Sequence, residues 1–201
     1  EMDVYAMDVA RFGGFATKDY TYLKSQENYR RRFMLTYPNE ELPAARKWRT
    51  TPSYDALDAQ GAVWGASFGL EHALWFSPEG PRQVETPSFR RSNAFGPVAE
   101  ECRAVRSGVG LLEIANFAKY EVSGSGAEDF LNRLMTNRMP KVGRIVLTPM
   151  LNERGKLIGD FTIAKTGDER FMIWGSSAAQ KYHMRWFERH LPKDGSIRIH
   201  R

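Results

Sequence analysis

The sequence of 201 residues has a single cysteine and no long apolar run. One thiol allows neither an internal disulfide nor a thiolate-rich metal cage, so Cys102 excludes both from this chain. The apolar runs are a few residues long, whereas a membrane helix needs about 20, and no signal peptide is recognisable at the start. We therefore expect a protein of a reducing compartment that does not span a bilayer.

The common catalytic and ligand-binding signatures are also missing. The sequence contains no GxGxxG, GxxxxGK[ST], HExxH or GxSxG motif, which are the usual marks of dinucleotide, phosphate, zinc and acyl-transfer sites. His183 and His190 are two helical turns apart without a third ligand nearby, so we predict helix-surface histidines and no metal site. Cys102 lies on the apolar stripe of a predicted helix and is interpreted as a buried small hydrophobe.

What is present is the composition of an ordinary globular protein. Hydrophobic residues make up 42% and aromatic residues 12% of the chain, enough for a packed core. The 29 Lys and Arg exceed the 24 Asp and Glu, for a net charge of +5. No basic strand interleaved with aromatic residues accompanies this charge, so a nucleic-acid partner is not expected. The mild excess could still favour a polyanionic ligand.

The first half of the chain is punctuated by proline. We predict a helix over residues 17–33, then an extended, proline-rich stretch over residues 37–52 and short strands around residues 61–69. A domain junction is placed within residues 87–97, where proline and polar residues cluster.

The second half is more regular and alternates strands with helices. A helix is predicted from Pro97 to Gly108, and the Ser125 to Glu128 spacing has the form of a capping box for another. The last helix is expected to be capped by Ser176 or Ser177. Strands are predicted around residues 120–122, at residues 145–151, 157–164 and 171–174, and at the carboxyl end. Antiparallel strands mixed with helices, without a βαβ rhythm, predict an α+β fold.

Asp160 lies in the middle of a predicted strand, where aspartate is disfavoured. Period-two alternation places it on one face with Ile158, Thr162 and Ala164. Such a carboxylate is paired, solvated at the sheet surface, or poised for chemistry. A structural role is the more common one for a single strand aspartate, but Gly159 beside it would allow a backbone or a planar ligand to approach.

A family resemblance covers residues 97–201. The segments match in order and spacing the amino-terminal half of the folate-binding aminomethyltransferases, whose best-known member is the glycine-cleavage T protein. The matching segments are residues 108–115 (GVGLLEIA), 122–124 (VSG), 130–137 (FLNRLMTN), 140–144 (PKVGR), 150–155 (MLNERG) and 159–160 (GD).

The upstream residues narrow the resemblance to the dimethylglycine and sarcosine dehydrogenases. The matching segments are residues 37–41 (YPNEE), 44–46 (AAR), 49–52 (RTTP), 75–76 (WF) and 87–93 (PSFRRSN). The resemblance implies an internal fragment of a larger flavoprotein, with the nucleotide fingerprint of its FAD site before the first residue. It implies three parts: the tail of an FAD-dependent oxidoreductase domain (residues 1–33), a connector (34–93) and a truncated folate-binding domain (94–201).

The function implied by the resemblance is oxidation of an N-methyl amine at FAD, followed by capture of the one-carbon unit on tetrahydrofolate as 5,10-methylenetetrahydrofolate. Asp160 falls on the family's folate-site aspartate, and Phe117, Leu147 and Ser176 fall on positions that line the pterin pocket. Taken singly, each of these three is equally well interpreted as a core or strand-end residue. The fragment itself is expected to be inactive, because it holds only part of the folate site.

The sequence departs from the family pattern at several positions. Leu147 replaces a common tyrosine, Gly159 precedes Asp160 where the T protein has a second aspartate, and residues 69–76 (GLEHALWF) replace the usual Gly-Trp-Glu-Arg-Pro run. Two alternatives therefore stay open: a non-catalytic regulatory or scaffold relative, and a stand-alone folate-dependent aminomethyltransferase. The expected partners are an N-methyl amine, folate and the rest of the flavoprotein, without nucleic acid or membrane. The expected location is the cytoplasm, or the mitochondrial matrix in a eukaryote.

Overall fold

The computed structural model describes residues 7–201. Contacts divide the chain into two compact units. We call residues 14–116 the two-strand unit, and residues 117–201 with the segment up to Gly13 the five-strand unit. Antiparallel sheets combined with helices confirm the predicted α+β class. Within the described range, no helix has both the length and the apolar character that crossing a bilayer requires.

The two-strand unit is built around one antiparallel hairpin. Its first helix begins where the sequence predicts it, because the Thr17 hydroxyl accepts a hydrogen bond from the Tyr20 amide at 3.3 Å. The elements are α1 (Lys18–Arg30), α2 (Tyr54–Ala59), β1 (Ala62–Ser67), β2 (Leu70–Phe76) and α3 (Phe95–Ser107).

A buried ion pair connects the hairpin to the preceding loop. Glu71 is 1% exposed, and it accepts hydrogen bonds from Arg46 Nε at 2.9 Å and from the Lys47 amide at 2.6 Å. Arg46 also donates to the Trp64 carbonyl at 2.9 Å. Burial acts to raise the pKa of Glu71, but the Arg46 guanidinium and the Lys47 amide outweigh it and hold that pKa below its usual range. The pair is therefore a charged, fully hydrogen-bonded part of this unit.

Helix α3 turns a different face inward from the one that its sequence predicts. Ala94, immediately before the helix, is buried, and the Glu101 carboxylate accepts a hydrogen bond from the Phe76 amide at 2.7 Å. The apolar stripe containing Cys102 and Val105 is exposed. The prediction that Cys102 is buried is wrong, because Glu101 rather than the apolar stripe contacts β2.

The five-strand unit holds the larger core. Its sheet has the order β4-β5-β6-β3-β7 and is antiparallel throughout. Two helices cover one face, where buried aromatic and aliphatic side chains from α4, α5 and alternate strand positions form one cluster. The elements are β3 (Ala118–Gly124), α4 (Ala127–Leu134), β4 (Ile145–Leu151), β5 (Leu157–Gly167), β6 (Arg170–Gly175), α5 (Gln180–His190) and β7 (Ile197–His200).

Neither predicted side-chain cap in this unit forms. Gly126, in the left-handed region with φ 85°, precedes α4 in place of Ser125, and no side chain caps the helix. The Glu128 carboxylate pairs with the largely buried Lys165 ammonium and is not free to close a capping box. Helix α5 also begins without a side-chain cap, because the Ser176 carbonyl accepts from the Ala179 amide at 3.2 Å in a backbone turn.

Candidate functional site

The sheet face opposite α4 and α5 carries the residues that the sequence singles out. Alternation directs Phe161 and Ile163 of β5 into the core, both at most 1% exposed, and leaves Asp160 exposed on the other face with half-buried Thr162. We call this outer surface the open face. Among the described residues, the Asp160 carboxylate has no hydrogen-bond or ion-pair partner.

The predicted alternation along β5 is wrong for one residue, Ile158. Ile158 is 7% exposed and belongs to the core, so it does not share a face with Asp160 as predicted. The cause is an irregularity in the β4–β5 pairing: Met150 pairs with Gly159 while Leu151 pairs with Leu157, which leaves Ile158 as an extra residue. A β-bulge of this kind breaks the period of two and redirects the neighbouring side chain.

The pairing register brings the four predicted site residues to one end of the open face. Gly175 pairs with Ala118, and Ser176 and Phe117 are the next residues outward on each strand. The β5–β6 pairing ends at Thr162 with Trp174, and its register, continued by two residues, places Ser176 next to Asp160. Leu147 pairs with Thr162, two residues further along β5. With neighbouring strands about 4.8 Å apart, Asp160, Ser176 and Phe117 fall on one row that crosses three strands.

None of the three pterin-lining candidates is a core residue. Phe117 is 49% and Leu147 66% exposed, and Ser176 is also exposed, directly after the end of β6. The interpretation as core residues is therefore wrong for this chain, whereas Phe117, directly before β3, and Ser176, directly after β6, do lie at strand ends. Their assignment to a pterin pocket stays a prediction.

The register also reveals residues that the sequence reasoning did not single out. Thr162 pairs with Trp174, and Trp174 with Lys119, so these side chains form the next row beside Asp160 on the open face. Trp174 and Lys119 are half-buried. The alternation of Trp174 with the buried Phe171 and Ile173 was the available signal for its orientation. This row supplies an aromatic surface and a cation next to the unpaired carboxylate.

His183 was predicted to lie on a helix surface, and this is wrong. It is 1% exposed because α5 turns it, with Met184 and Phe187, onto the sheet. Its Nδ1 lies 3.2 Å from the Tyr120 hydroxyl, and its ring hydrogen-bonds to the backbone of Ile158. Burial lowers the pKa of His183 to about 4, against weaker opposing effects of the Ile158 backbone and the Asp160 charge. The ring is therefore neutral at pH 7.

A cavity of about 500 Å³ lies at the β4–β5 turn and α5, away from the open-face residues. Arg154, Arg185 and Arg189 line it with Glu153 and Trp186, and Asp160 is not among the lining residues. Two of these arginines have acidic partners, since Arg185 contacts Asp8 at 3.0 Å and Arg189 is 3.9 Å from Glu153. Ile158, two residues before Asp160 on β5, also lines the cavity.

With this geometry, comparisons with known proteins define the class. Residues 53–201 match the GCVT N-terminal domain, and residues 1–51 match the FAD dependent oxidoreductase central domain. In a solved structure, the glycine cleavage system aminomethyltransferase T from Bartonella henselae, the shared fold has a TM-score of 0.59 at 22% identity, covering 75% of this chain and 37% of that one. The fold is thus that of an aminomethyltransferase-type domain.

The chain belongs to the GCVT N-terminal domain family, preceded by part of an FAD dependent oxidoreductase central domain. It is 30% identical to the mitochondrial dimethylglycine dehydrogenase of Rattus norvegicus over 96% of this chain and 22% of the relative. It is also 30% identical to the mitochondrial pyruvate dehydrogenase phosphatase regulatory subunit of Mus musculus, over 97% of this chain and 23% of the relative. The family resemblance seen in the sequence is confirmed.

The chain spans about a fifth of the length of these relatives, 22% and 23%. The family matches meet at residues 51 and 53, whereas the contacts divide the chain after residues 13 and 116. The three predicted parts, 1–33, 34–93 and 94–201, stay a prediction.

Proposed function

We propose that this chain is part of a flavin-dependent N-methyl amine dehydrogenase of the dimethylglycine or sarcosine type. In this proposal the five-strand unit contributes to transfer of the released one-carbon unit to tetrahydrofolate, giving 5,10-methylenetetrahydrofolate. The observation that carries the proposal is Asp160, an exposed mid-strand carboxylate without a partner in the described chain, beside Ser176, Phe117 and Trp174. The family match and the dehydrogenase relatives support it.

The open-face residues fit a reduced pterin. Phe117 and Trp174 offer aromatic surface for stacking, and the Asp160 carboxylate offers an acceptor for an N–H group. Tetrahydrofolate supplies two secondary amine nitrogens, N5 and N10, that capture the one-carbon unit. Asp160 accepts a hydrogen bond from the first of these N–H groups, takes its proton as that nitrogen bonds to the oxidised N-methyl carbon, and gives the proton to the amine as the carbon–amine bond breaks. The second nitrogen then bonds to the same carbon and releases its own proton to solvent. The role of Asp160 strengthens as water is excluded around the carboxylate.

Under the proposal, most of the FAD site lies outside this chain. No GxGxxG motif is present, and residues 1–51 match a central domain of the oxidoreductase. The match over residues 1–51 also favours a flavin-linked protein over a stand-alone aminomethyltransferase.

Product partition in the full-length protein tests the proposal. Replacing Asp160 by alanine is expected to leave amine oxidation within about twofold, while free formaldehyde rises at the expense of methylenetetrahydrofolate by about tenfold, the effect of losing one charged hydrogen bond. Asp168→Ala, which removes an exposed carboxylate from the β5–β6 turn, is the matched control and should leave the partition unchanged. An unchanged partition in Asp160→Ala would remove Asp160 from the chemistry.

A second candidate function is regulatory. The match to a phosphatase regulatory subunit covers 97% of this chain at 30% identity, as high as the match to the dehydrogenase. A regulatory relative needs to bind neither folate nor flavin. Absence of both from the purified full-length protein, with no binding on titration, would favour this candidate.

The remaining expectations follow from the main proposal. The partners would be an N-methyl amine, folate and the rest of the flavoprotein. The location would be the mitochondrial matrix in a eukaryote, in agreement with the mitochondrial relatives, or the cytoplasm of a bacterium.

A further inference from the structure

The buried ring of His183 lies against the back of β5 at the residue before Asp160. A Cβ added to Gly159 would lie 2.5 Å from His183 Nε2, which is shorter than any ordinary van der Waals contact. A Cβ added to Gly175, on the neighbouring strand β6, would lie 3.4 Å from Cε1 of the same ring and 2.7 Å from Phe161. Two glycines on adjacent strands therefore leave the space that the imidazole occupies.

The polar contacts of the ring are divided between two elements. A hydrogen bond with the Ile158 backbone raises the pKa of the ring, as a carbonyl acceptor does, and because Nε2 is the ring nitrogen next to residue 159, we assign Nε2–H as the donor. Nδ1 then faces the Tyr120 hydroxyl at 3.2 Å, whose single proton is shared between Nδ1 and the Gln180 carbonyl at 3.3 Å. Tyr120 is fully buried, so the ring is held from β3 on one side and holds β5 on the other.

The residue bonded by His183 is the extra residue of the bulge. Ile158 lies between Gly159, which pairs with Met150, and Leu157, which pairs with Leu151. An extra residue lacks its regular ladder partner and leaves the strand direction less well fixed. A hydrogen bond from a buried ring to its carbonyl fixes that direction two residues before Asp160.

We propose that His183 is a positioning residue for Asp160, acting through its Nε2–H bond to the Ile158 carbonyl and its seat against Gly159. The inference rests on the proposed function, because Asp160 is assigned there to the pterin site. The bond fixes the bulge, and the bulge directs the Asp160 carboxylate outward on the open face. A carboxylate displaced by as little as 1 Å loses much of its effect on a bound reactant.

Tetrahydrofolate affinity in the full-length protein tests the inference. His183→Leu keeps an apolar side chain of similar volume but removes the donor, and is expected to weaken the Kd at least tenfold. His183→Gln retains an amide N–H near the position of Nε2 and is expected to restore the Kd to within about threefold of the parent. Amine-dependent flavin reduction should stay unchanged in both. A merely structural role would lower stability equally and leave the Kd of the folded protein unchanged.

A second pair of variants keeps the test decisive if His183→Leu does not fold. Gly159→Ala forces the ring away from the bulge and should weaken tetrahydrofolate binding at least tenfold. Gly167→Ala on the same strand is its control, since its Cβ would meet nothing closer than 3.6 Å, and should bind as the parent does.

The outcomes separate the inference from the function on which it rests. Wild-type affinity in His183→Leu and Gly159→Ala, with weakened binding in Asp160→Ala, overturns the positioning role and leaves the proposed function standing. Equal weakening in His183→Leu and His183→Gln overturns the role of the Ile158 bond. No effect of any variant, Asp160→Ala included, overturns the proposed function and the inference together.

Discussion

Two side chains of opposite character lie on the two sides of β5. Asp160 is exposed and unpaired within the described residues, and His183 is buried and neutral. Water stabilises the charged carboxylate of Asp160, and an apolar core favours the neutral form of the His183 imidazole. Because folding changes the protonation of His183, the stability of the five-strand unit depends on pH.

The stability of the five-strand unit is expected to fall in mild acid because of His183. Its pKa drops from 6.5 to about 4 on folding, so the unfolded chain takes up a proton in this window and the folded chain does not. The contribution of His183 to the free energy of unfolding is fully present above about pH 6.5. As pH falls towards 4, on the order of 3 kcal/mol of it is lost. Hydrogen exchange of α5 in the full-length protein, corrected for intrinsic rates, measures it.

The matched variant for this pH effect is His183→Gln, which cannot titrate. Its α5 opening free energy should change less between pH 7 and 4.5 than that of the parent. Equal pH slopes in parent and variant would show that His183 is not the group responsible.

Single residues differ in how far the sequence can predict them. Asp160 stands out because aspartate is rare in mid-strand, and its exposure follows from period-two alternation. The burial of Ile158 could not be predicted in this way, because a bulge depends on the register of two strands and not on the pattern of one strand. His183 could have been placed in the core, since it lies four residues before Phe187, which is fully buried. Histidine's polarity hid that signal.

At the scale of elements, the junction of β3 and β7 depends on Gly124. It adopts φ 119°, and a Cβ there would lie 2.1 Å from the Ser196 carbonyl oxygen. Gly124→Ala is therefore expected to destabilise the five-strand unit by more than about 1 kcal/mol, seen as faster hydrogen exchange in β3 and β7.

Gly126→Ala is the control for that clash. Gly126 also has a positive φ, of 85°, but a Cβ there meets nothing within 4 Å. It should destabilise less than Gly124→Ala. Equal losses would attribute the effect of Gly124 to backbone conformation alone.

Helices, strands and caps were predictable where the local sequence determines them, and less predictable where contacts with distant residues do. The strands at residues 145–151 and 157–164, and the helix capped by Thr17, follow from local pattern and match β4, β5 and α1. The capping box at Ser125 fails because Glu128 finds a better partner in the largely buried Lys165, which is 37 residues away along the chain. Long-range ion pairs of this kind leave no mark in a local sequence window.

At the scale of the whole molecule, each unit has its own core. In the two-strand unit, Glu71 is 1% exposed and depends on Arg46. Arg46→Ala leaves a buried carboxylate without its cation and is expected to cost about 3–5 kcal/mol of that unit's stability. Hydrogen exchange of β1 and β2 measures this loss.

Arg103→Ala is the control for the ion-pair prediction. Its partner Glu100 is 74% exposed, and surface pairs contribute little, so no measurable change is expected. A similar small effect of Arg46→Ala would mean that Glu71 becomes protonated or hydrated without loss.

The family was predictable from the order and spacing of its motifs, and the α+β class from antiparallel strand patterns mixed with helices. The limits of the chain's parts were not predictable, because contacts between distant segments decide them: residues 7–13 join residues 117–201. The gathering of Phe117, Leu147, Asp160 and Ser176 at one end of a sheet likewise needs the strand order, which no single segment encodes.

A calorimetric titration of the full-length protein with tetrahydrofolate, beside its Asp160→Ala variant, shows whether Asp160 belongs to a folate site. We expect saturable binding in the parent and a Kd at least tenfold weaker in the variant, the effect of losing a charged hydrogen-bond acceptor. Absence of binding in the parent, or equal affinity in the two proteins, would contradict the proposed function.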